Sequence, residues 1–551
     1  MSIPLYQPGL IQIVILSVIF FNIFWAEYGF SEEPKTENQP QQSSVKETDF
    51  SADTIELSLK DALSFALQNN LNIRIQGFNP KVKKPDIGVA KGEFDPNLDM
   101  NFSHKYKENQ TSTQLAGTSI AENRVVEPGF TWTHKLRTGT TYELRWLTDR
   151  NSTNSRFVTE DPHYTSELVL EVRQPLLRDF GRDIQEADIN TAENEYKSAI
   201  LGFDMETLII IADVEKLYWD LYNAYDQLEV AKLSLDLARE LYEVSEARIE
   251  AGVLAPIEIY QSEADVALRE EGIITAQKQI EDVEDQLKAA MNLESWDSAL
   301  QPSDKPQVTE IPPMLDEEIA QSLEERKDLK QAMLKLDNQE ITLKVAKNQL
   351  YPDLSVYANT GVNGLNQNFS DHLGDQFSTD YYSYEAGFLI NIPIGNRIAK
   401  SNVQKANALK GQASVEIEQV KQQIIVEVRE AVRAIEVALK QIKATSRTEA
   451  LEKKRLESEQ EKFKLGMSTA HDVLDFQESY AQALSNKLKA VVEYSKAVAD
   501  LKLVRKVGRK TRITLQPGSE QQMNGQQGET QGTTPSTNQQ GVGNRNILFN
   551  Q

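Results

Sequence analysis

Two aspartates lie one helical turn apart near the C-terminal end of the chain, within KFKLGMSTAHDVLDFQESY, residues 462–480. Asp472 and Asp475 could form a carboxylate pair for acid–base catalysis or metal binding, with His471 alongside. Residues three apart on a helix share a face and adjacent residues do not, so we expect His471 to point away from Asp475. The simpler interpretation of two aspartates on an acidic chain is a solvated helix face.

Other features of catalytic sites are missing from the sequence. The five histidines are scattered without the spacing of a zinc site, no phosphate-binding GxxxxGK[ST] motif occurs, and there is no cysteine. We therefore predict a protein that is not an enzyme, with no cofactor and no metal site.

Composition limits the classes of partner. The chain has 551 residues, of which 40% are hydrophobic and 26% are charged, and its net charge is −24. A nucleic-acid partner is not expected, because binding a phosphate backbone needs a concentrated positive surface.

The two ends differ from the rest of the chain. The longest apolar run, LIQIVILSVIFFNIFWA, precedes a polar stretch, which predicts a signal peptide at 1–26 and a flexible linker at 27–52. An uncleaved anchor helix is the alternative, since 17 residues can almost span a bilayer. Residues 511–551 are rich in Gln, Gly, Asn and Thr, which predicts a disordered tail.

The middle of the chain contains two copies of one unit. VAKGEFDPNLDM matches VAKNQLYPDLSV, QPLLRDFGRD matches IPIGNR, and RIEAGVLAPIEIYQ matches KFKLGMSTAHDVLD. The last match aligns Gly252 with Gly466. Three matches in the same order predict a duplication, residues 53–300 and 315–510, joined by a linker at 301–314.

Each copy has the pattern helix, strands, very long helix, glycine turn, long helix. After Gly181 no proline occurs up to about Ala247, and apolar residues recur at spacings of three and four: Val214, Leu217, Leu221, Ala224, Leu228, Ala231, Leu235 and Ala238. A helix of about 65 residues is on the order of 100 Å long, so such helices must pack side by side in a bundle or tube.

Alternating segments predict barrel strands at about 96–175 and 352–393. One side is apolar and rich in aromatic residues, as in Leu98, Met100, Phe102 and Tyr106, in Tyr164, Ser166, Leu168, Leu170 and Val172, and in Tyr382, Tyr384, Ala386, Phe388, Ile390 and Ile392. Segments of about 9 to 11 residues with the other side polar suit a membrane barrel with a wet lumen. A soluble antiparallel sheet is the alternative.

The first copy carries an extra hairpin at about 127–149. The sequence GFTWTHKLRTGTTYELRWL alternates on both sides of a short turn, and long connections flank it. We therefore predict six barrel strands per chain, with a hairpin standing outside the membrane as the alternative.

These features together resemble the TolC family of outer-membrane efflux proteins over residues 53–510. The resemblance is carried by the duplication, the paired glycine turns, and the strand–helix joints that align Pro175 with Pro393 and Gly181 with Gly395. It implies an α+β membrane protein, a trimeric outer-membrane β-barrel continuous with a long periplasmic α-helical coiled-coil barrel. It further implies outer-membrane lipid, a periplasmic adaptor (membrane fusion) protein and an inner-membrane pump, either proton-driven or ABC, as partners of the homotrimer.

The resemblance also assigns roles to the glycine turns. Asp472 and Asp475 are expected to form two stacked carboxylate rings in the pore, and carboxylates held so close should raise some of their own pKa values. Adaptor contacts are expected at Arg248, Gly252, Val253 and Leu254 and at Lys462, Gly466 and Met467. The best-known family pattern has an arginine where this chain has Ser468, so Phe463 with Ser468 or Thr469 must hold the gate shut in another way.

The function implied is a passive outer-membrane exit channel of a tripartite efflux or type I secretion system, gated at its periplasmic helical tip. The alternative is a non-conducting periplasmic coiled-coil scaffold.

Overall fold

The computed structural model describes residues 54–112, 117–309, 312–378 and 380–508. The predicted signal peptide, the linker at 27–52 and the tail at 511–551 lie outside the described residues. The elements are, in order, β1 (Thr54–Leu57), α1 (Leu59–Asn69), α2 (Leu71–Gln76), α3 (Phe78–Gly92), β2 (Asn97–Gln110), β3 (Ile120–Lys135), β4 (Thr141–Thr153), β5 (His163–Pro175), α4 (Arg182–Gln185), α5 (Ala187–Glu250), α6 (Ile259–Met291), β6 (Ala299–Pro302), α7 (Leu315–Glu325), α8 (Lys327–Asn348), β7 (Asp353–Asn366), α9 (Phe369–Phe377), β8 (Tyr382–Asn391), α10 (Arg397–Lys464) and α11 (Ala470–Lys506).

The chain divides into two compact units, each made of three stretches of sequence. As far as they are described, the first contains residues up to 79, 209–312 and 434–499, and the second contains residues 80–208, 313–433 and 500–508.

Helices dominate the first unit. Six of the eight predicted seam residues are buried, from Val214 and Leu221 at 0% exposure to Leu228 at 9%. This unit also contains a short parallel pairing of β1 with β6. There the hydroxyl of the fully buried Tyr218 donates to the carbonyl of Leu57 and accepts from the N–H of Asp304, both at 3.0 Å. The first residues of the predicted linker therefore form a strand.

The second unit contains a six-stranded antiparallel sheet in the order β2–β3–β4–β5–β7–β8. Each strand pairs with the next strand of this sheet in chain order, and the hairpin at 127–149 supplies parts of β3 and β4. The extra residues of the first copy are thus an integral part of the sheet.

The strand register places the predicted apolar sides on one face of this sheet. Directly paired residues share a face, and one row of pairs runs Met100, Phe130, Trp146, Leu168, Val362 and Tyr382. The opposite face carries Asn101, Thr131, Arg145, Glu167 and Asn363. Alternation in the sequence therefore identified a real two-sided sheet.

Much of the apolar face is open in the single chain. Phe102 on β2 is 74% exposed, and Tyr384 and Phe388 on β8 are 79% and 71% exposed.

Among the described helices, none is both long and apolar enough to cross a membrane.

Candidate functional site: hairpin tips and strand–helix joints

Both glycine turns end their long helices in the same way. Gly252 and Gly466 adopt left-handed φ angles of 72° and 77°. Each glycine N–H donates to a carbonyl three residues back, and the following N–H, of Val253 or Met467, donates to the carbonyl five residues back, all at 2.9 Å. This is the Schellman motif, which satisfies carbonyls at a helix end and favours glycine because the conformation is costly for other residues.

Several residues assigned to adaptor contact lie on the surface of the tips. Val253 is 65% exposed, Met467 is 67% exposed, Leu254 is half-buried and Lys462 is exposed. Exposed apolar groups of this size suit contact with a protein, and their role in adaptor binding stays a prediction.

Arg248, also assigned to the adaptor, is engaged within its own chain. Its Nη1 donates to the main-chain carbonyl of Phe463 at 2.5 Å, and its guanidinium carbon lies 4.6 Å from the centre of the Phe463 ring. One side chain thus ties the end of α5 to the end of α10. Its role in adaptor contact stays a prediction.

Phe463, assigned to the gate, is 2% exposed. It packs in a cluster with Leu241, Leu456, Ala470, Val473 and Leu474. A ring buried in this way stabilises the packing of the hairpins, and its assignment to the gate stays a prediction.

Ser468 belongs to a polar network at the second tip. Its hydroxyl donates to the carboxylate of Glu459 at 2.5 Å, and Lys462 donates to the other oxygen of the same carboxylate at 2.8 Å. Hydrogen bonds from Lys462 and then Ser468 hold the pKa of Glu459 below its usual value. Sequence reasoning missed Glu459, although its spacing of three residues from Lys462 was a readable signal.

Asp472 caps its own helix. Its N–H donates to the hydroxyl oxygen of Thr469 at 3.2 Å, while its carboxylate accepts from the Thr469 N–H at 3.2 Å and from the Thr469 hydroxyl at 2.6 Å. These reciprocal bonds form a capping box at the start of α11. They hold the pKa of Asp472 below its usual value. Within the single chain this direction is opposite to the one expected for crowded carboxylates.

The expectation for His471 and Asp475 was wrong. The two residues are four positions apart and share a helix face, with 4.0 Å between His471 Nε2 and an Asp475 carboxylate oxygen. His471 Nδ1 also lies 3.1 Å from the side-chain amide nitrogen of Gln261 on α6. Asp475 itself is 69% exposed, so its carboxylate remains available to solvent.

The strand–helix joints use special backbone conformations. Gly181, which precedes α4, and Gly395, which precedes α10, have φ angles of 99° and 85°. Pro175 ends β5, and Pro393 follows β8 by two residues. Both glycines lie where the chain changes from strand to helix, and a positive φ is readily adopted there by glycine.

The first joint is held by the C-terminal end of α8. The N–H of Asp179 donates to Asn348 Oδ1 at 2.7 Å, and Asn348 Nδ2 donates to the carbonyl of Leu177 at 3.3 Å. Asn348 is 9% exposed. An element of the second copy therefore fixes the joint of the first, and neither copy's sequence alone signals that contact.

Within the described part of the chain, no group of three or more His, Cys, Asp or Glu residues is arranged to hold a metal ion. The tips can therefore be described as capped, hydrogen-bonded helix ends with exposed apolar and acidic side chains.

Comparison with known proteins gives one family and a consistent fold. The model of the family described as "Outer membrane efflux protein" matches residues 62–293 and 319–504. These two matches correspond to the two predicted copies. No curated protein sequence matches the chain.

Solved channels share the fold at low identity. The Campylobacter jejuni CmeC outer membrane channel is 16% identical with a TM-score of 0.59, over 81% of this chain and 85% of that one. Vibrio cholerae VceC, an outer membrane protein, is 17% identical with a TM-score of 0.57, over 82% and 96%. The open state of the Neisseria gonorrhoeae MtrE outer membrane channel is 19% identical with a TM-score of 0.55, over 82% and 89%.

The resemblance found in the sequence is thus confirmed by a family match over more than half of the chain, with the α+β fold of the solved channels. The chain belongs to the outer membrane efflux protein family, the TolC family, and is a protein of the outer membrane.

Proposed function

We propose that the protein is a passive exit channel that carries the substrates of an inner-membrane pump across the periplasm and the outer membrane. Three copies form the channel, and a periplasmic adaptor joins it to a proton-driven or ABC-type pump in an efflux or type I secretion system. The family match supports a channel role, and the sheet supports the way the copies assemble.

The observation that carries this proposal is the combination of open edges and an exposed apolar face. Among the described strands, β2 and β8 each pair on one side only. Open strand edges are not stable in lipid, because unpaired N–H and C=O groups have no water to bond. With six antiparallel strands per chain, β8 of one copy runs antiparallel to β2 of the next, so the ring closes without a break. Three copies give an eighteen-stranded barrel with the apolar face towards lipid.

Side chains at the second tip support a gate that differs in composition from the best-known family pattern. Asp475 is exposed and contributes a ring of three carboxylates in a trimer, which attracts cations. Asp472 contributes a second ring that attracts cations more weakly, because its carboxylate accepts a hydrogen bond from the Thr469 hydroxyl. In place of the missing arginine, Arg248 on Phe463 and Ser468 on Glu459 hold the tip closed.

Fractionation followed by single-channel recording tests the proposal. We expect the protein in the outer-membrane fraction as a detergent-resistant trimer that conducts ions in a planar bilayer. A soluble monomer, or a trimer with no conductance, would contradict the channel and favour the periplasmic scaffold.

Charge removal at the tip tests the gate. Asp472→Ala with Asp475→Ala should lower cation preference and weaken block by divalent ions. The matched control is Asp236→Ala with Glu243→Ala, which removes two exposed carboxylates from α5. Unchanged cation preference and unchanged block in the tip variant would show that these residues are not in the pore.

A further inference from the structure

Polarity changes sharply along the apolar face of the sheet. The strand ends that connect to α3, α4, α8 and α10, at residues 97, 175, 353 and 391, all lie at one end, called here the joint end. From Leu354 and Ile390 at the joint end to Val362 and Tyr382, the face is mostly apolar or aromatic. The eight residue-to-residue steps from Leu354 to Val362 along β7 rise about 27 Å, or about 20 Å along the normal for strands tilted by about 40°. That height is close to the apolar band of a membrane barrel.

The next row marks the end of this band. It contains Thr148, Ser166 and Gly364, and α9 packs over it. His372 and Gln376 of α9 are fully buried against the sheet, and Trp146 Nε1 donates to Gln376 Oε1 at 3.3 Å. A Cβ on Gly364 would lie 2.8 Å from the carbonyl of His372, so glycine permits this close approach.

The outer side of α9 is unsuited to hydrocarbon. Its exposed side chains include Asp371 and Phe377, and the half-buried Asp375 accepts a hydrogen bond from Asn366 Nδ2 at 2.9 Å. Carboxylates in the apolar region of a bilayer are costly, so α9 lies above that region. The level of Thr148 is therefore the outer limit of the hydrocarbon if the sheet spans a membrane.

Two arginines on the same face lie just beyond this limit. Arg150 pairs with Val126 and Tyr164, and Arg124 pairs with Tyr106 and Ser152. Arg124 and Arg150 are therefore diagonal neighbours on adjacent strands, with Cα atoms about 7 to 8 Å apart. Arg150 is four residues beyond Trp146 on β4, which is roughly 10 Å along the membrane normal.

The contacts of these two arginines leave positive charge that can bind an anionic ligand. Arg150 lies over the Tyr164 ring at 6.0 Å from its centre, and among the described residues no carboxylate pairs with it within 4.0 Å. Arg124 lies over the Tyr106 ring at 5.3 Å and is 3.4 Å from a carboxylate oxygen of Glu122. The Arg124 side chain remains 59% exposed. Each guanidinium lies against an aromatic ring of the same face, and Arg150 is half-buried.

We propose that Arg124 and Arg150 form a binding site for the phosphate groups of a phosphorylated glycolipid in the outer leaflet. This inference rests on the proposed function: the long helices lie in the periplasm, so the joint end of the sheet faces the periplasm. Guanidinium groups bind phosphate through paired charged hydrogen bonds, and their position just outside the apolar band matches the level of lipid headgroups. The acyl chains lie against Phe102, Trp146 and their apolar neighbours below.

Native mass spectrometry of the intact detergent-solubilised trimer tests the site. The probes are bisphosphorylated lipid A, the same lipid after removal of its phosphates, and phosphatidylglycerol. We expect Arg124→Gln with Arg150→Gln to weaken lipid A binding by about tenfold or more, because charge-assisted bonds are lost. Arg124→Lys with Arg150→Lys should keep most of the binding, since the charge is retained.

The matched control removes two positive charges from the opposite face. Lys107→Gln with Arg145→Gln changes β2 and β4 without touching the apolar side and should leave lipid A binding within about twofold, because phosphate contact needs nearby charge. The inference would be overturned if the control lost as much lipid A binding as the Arg124 and Arg150 variant, or if that variant lost none. It would also be overturned if the wild-type protein bound dephosphorylated lipid A as well as lipid A. Phosphatidylglycerol binding that is equally strong and equally dependent on these arginines would also overturn the assignment to a glycolipid.

Conductance of the same preparations separates the two proposals. A wild-type protein that does not conduct contradicts the channel itself. A conducting protein whose lipid A binding ignores Arg124 and Arg150 contradicts only the lipid site.

Discussion

The turn after α5 and the turn after α10 end their helices with the same two backbone hydrogen bonds, around Gly252 and Gly466. Their side chains differ. The first turn continues into a 3₁₀ turn at Pro256–Glu258 and exposes Val253, Ile257 and Tyr260 at 65%, 74% and 69%. The second exposes Met467 but adds the Glu459 network and the capping box.

The comparison shows which features of the turn both copies keep because the backbone conformation requires them. A helix end with a left-handed residue requires glycine, so the turn stays the same in both copies. Side chains around that turn carry no such requirement and have diverged. Exposed apolar side chains occur at both tips, with Leu465 and Met467 at 71% and 67% exposure on the second, and adaptor contact at either tip stays a prediction. The polar network around Glu459 belongs to the second tip.

The largest expected difference between the tips comes from Phe463. Phe463→Ala removes a fully buried ring and should lower the free energy of unfolding by about 3 to 4 kcal/mol. The matched residue of the first copy is Ile249, which is half-buried, and Ile249→Ala should cost about 1 to 2 kcal/mol. Urea unfolding followed by far-ultraviolet circular dichroism measures both. Equal losses would show that the second tip is no better packed than the first.

Arg248 and Lys462 are also matched positions. Arg248→Gln removes the bond to the Phe463 carbonyl and the contact with its ring, and should cost about 1 to 2 kcal/mol. Lys462→Gln breaks an ion pair whose lysine is 54% exposed, and should cost less than about 1 kcal/mol. We also expect a higher open probability in planar bilayers for Arg248→Gln alone. If Lys462→Gln opened the channel as readily, the tie between the two helix ends would not be what holds it.

The two glycines should respond similarly to alanine. Both have positive φ, so Gly252→Ala and Gly466→Ala should each cost about 1 kcal/mol. Gly466→Ala should be slightly worse, because its new Cβ would lie 3.4 Å from the Arg248 guanidinium whereas the space at Gly252 is open. Thermal unfolding of both variants checks this order, and a harmless Gly466→Ala would contradict the Schellman assignment at the second tip.

Local patterns predicted the fold well. Alternation placed Leu98, Tyr164 and Tyr382 on one face, because a side-chain period of two is fixed by the strand itself. The glycine turns were equally readable, since their backbone conformation selects the residue. The capping box also has a sequence signature, because the threonine at 469 is followed three residues later by the acidic Asp472.

Contacts between distant residues could not be predicted. Arg248 and Phe463 are 215 residues apart, and only the packing of the two hairpins brings them together. The same holds for Asn348 and Asp179, which meet across the two copies at a separation of 169 residues. The closeness of His471 and Asp475, in contrast, follows from helix geometry alone, because residues four apart on a helix share a face.

The smallest expected difference between the tips is in their response to acid. The folded pKa values of Glu459 and Asp472 lie below their ordinary values of 4.5 and 3.8. Groups with lowered pKa stabilise the folded state above those ordinary values, and this stabilisation is lost as the pH falls through the folded pKa. The second tip should therefore loosen below about pH 4. At this pH the unfolded carboxylates are largely protonated and the folded ones begin to follow.

Hydrogen exchange of peptides from the two tips after incubation at pH 5 and pH 3 measures this loosening. We expect faster exchange at pH 3 in the peptide spanning 459–475 than in the matched peptide spanning 245–261, relative to their own rates at pH 5. In Glu459→Gln with Asp472→Asn the titrating groups are gone, so the excess should disappear. Equal acid responses of the two peptides in the wild-type protein would show that the polar network does not distinguish the second tip, and that its closed shape depends on Phe463 and Arg248 alone.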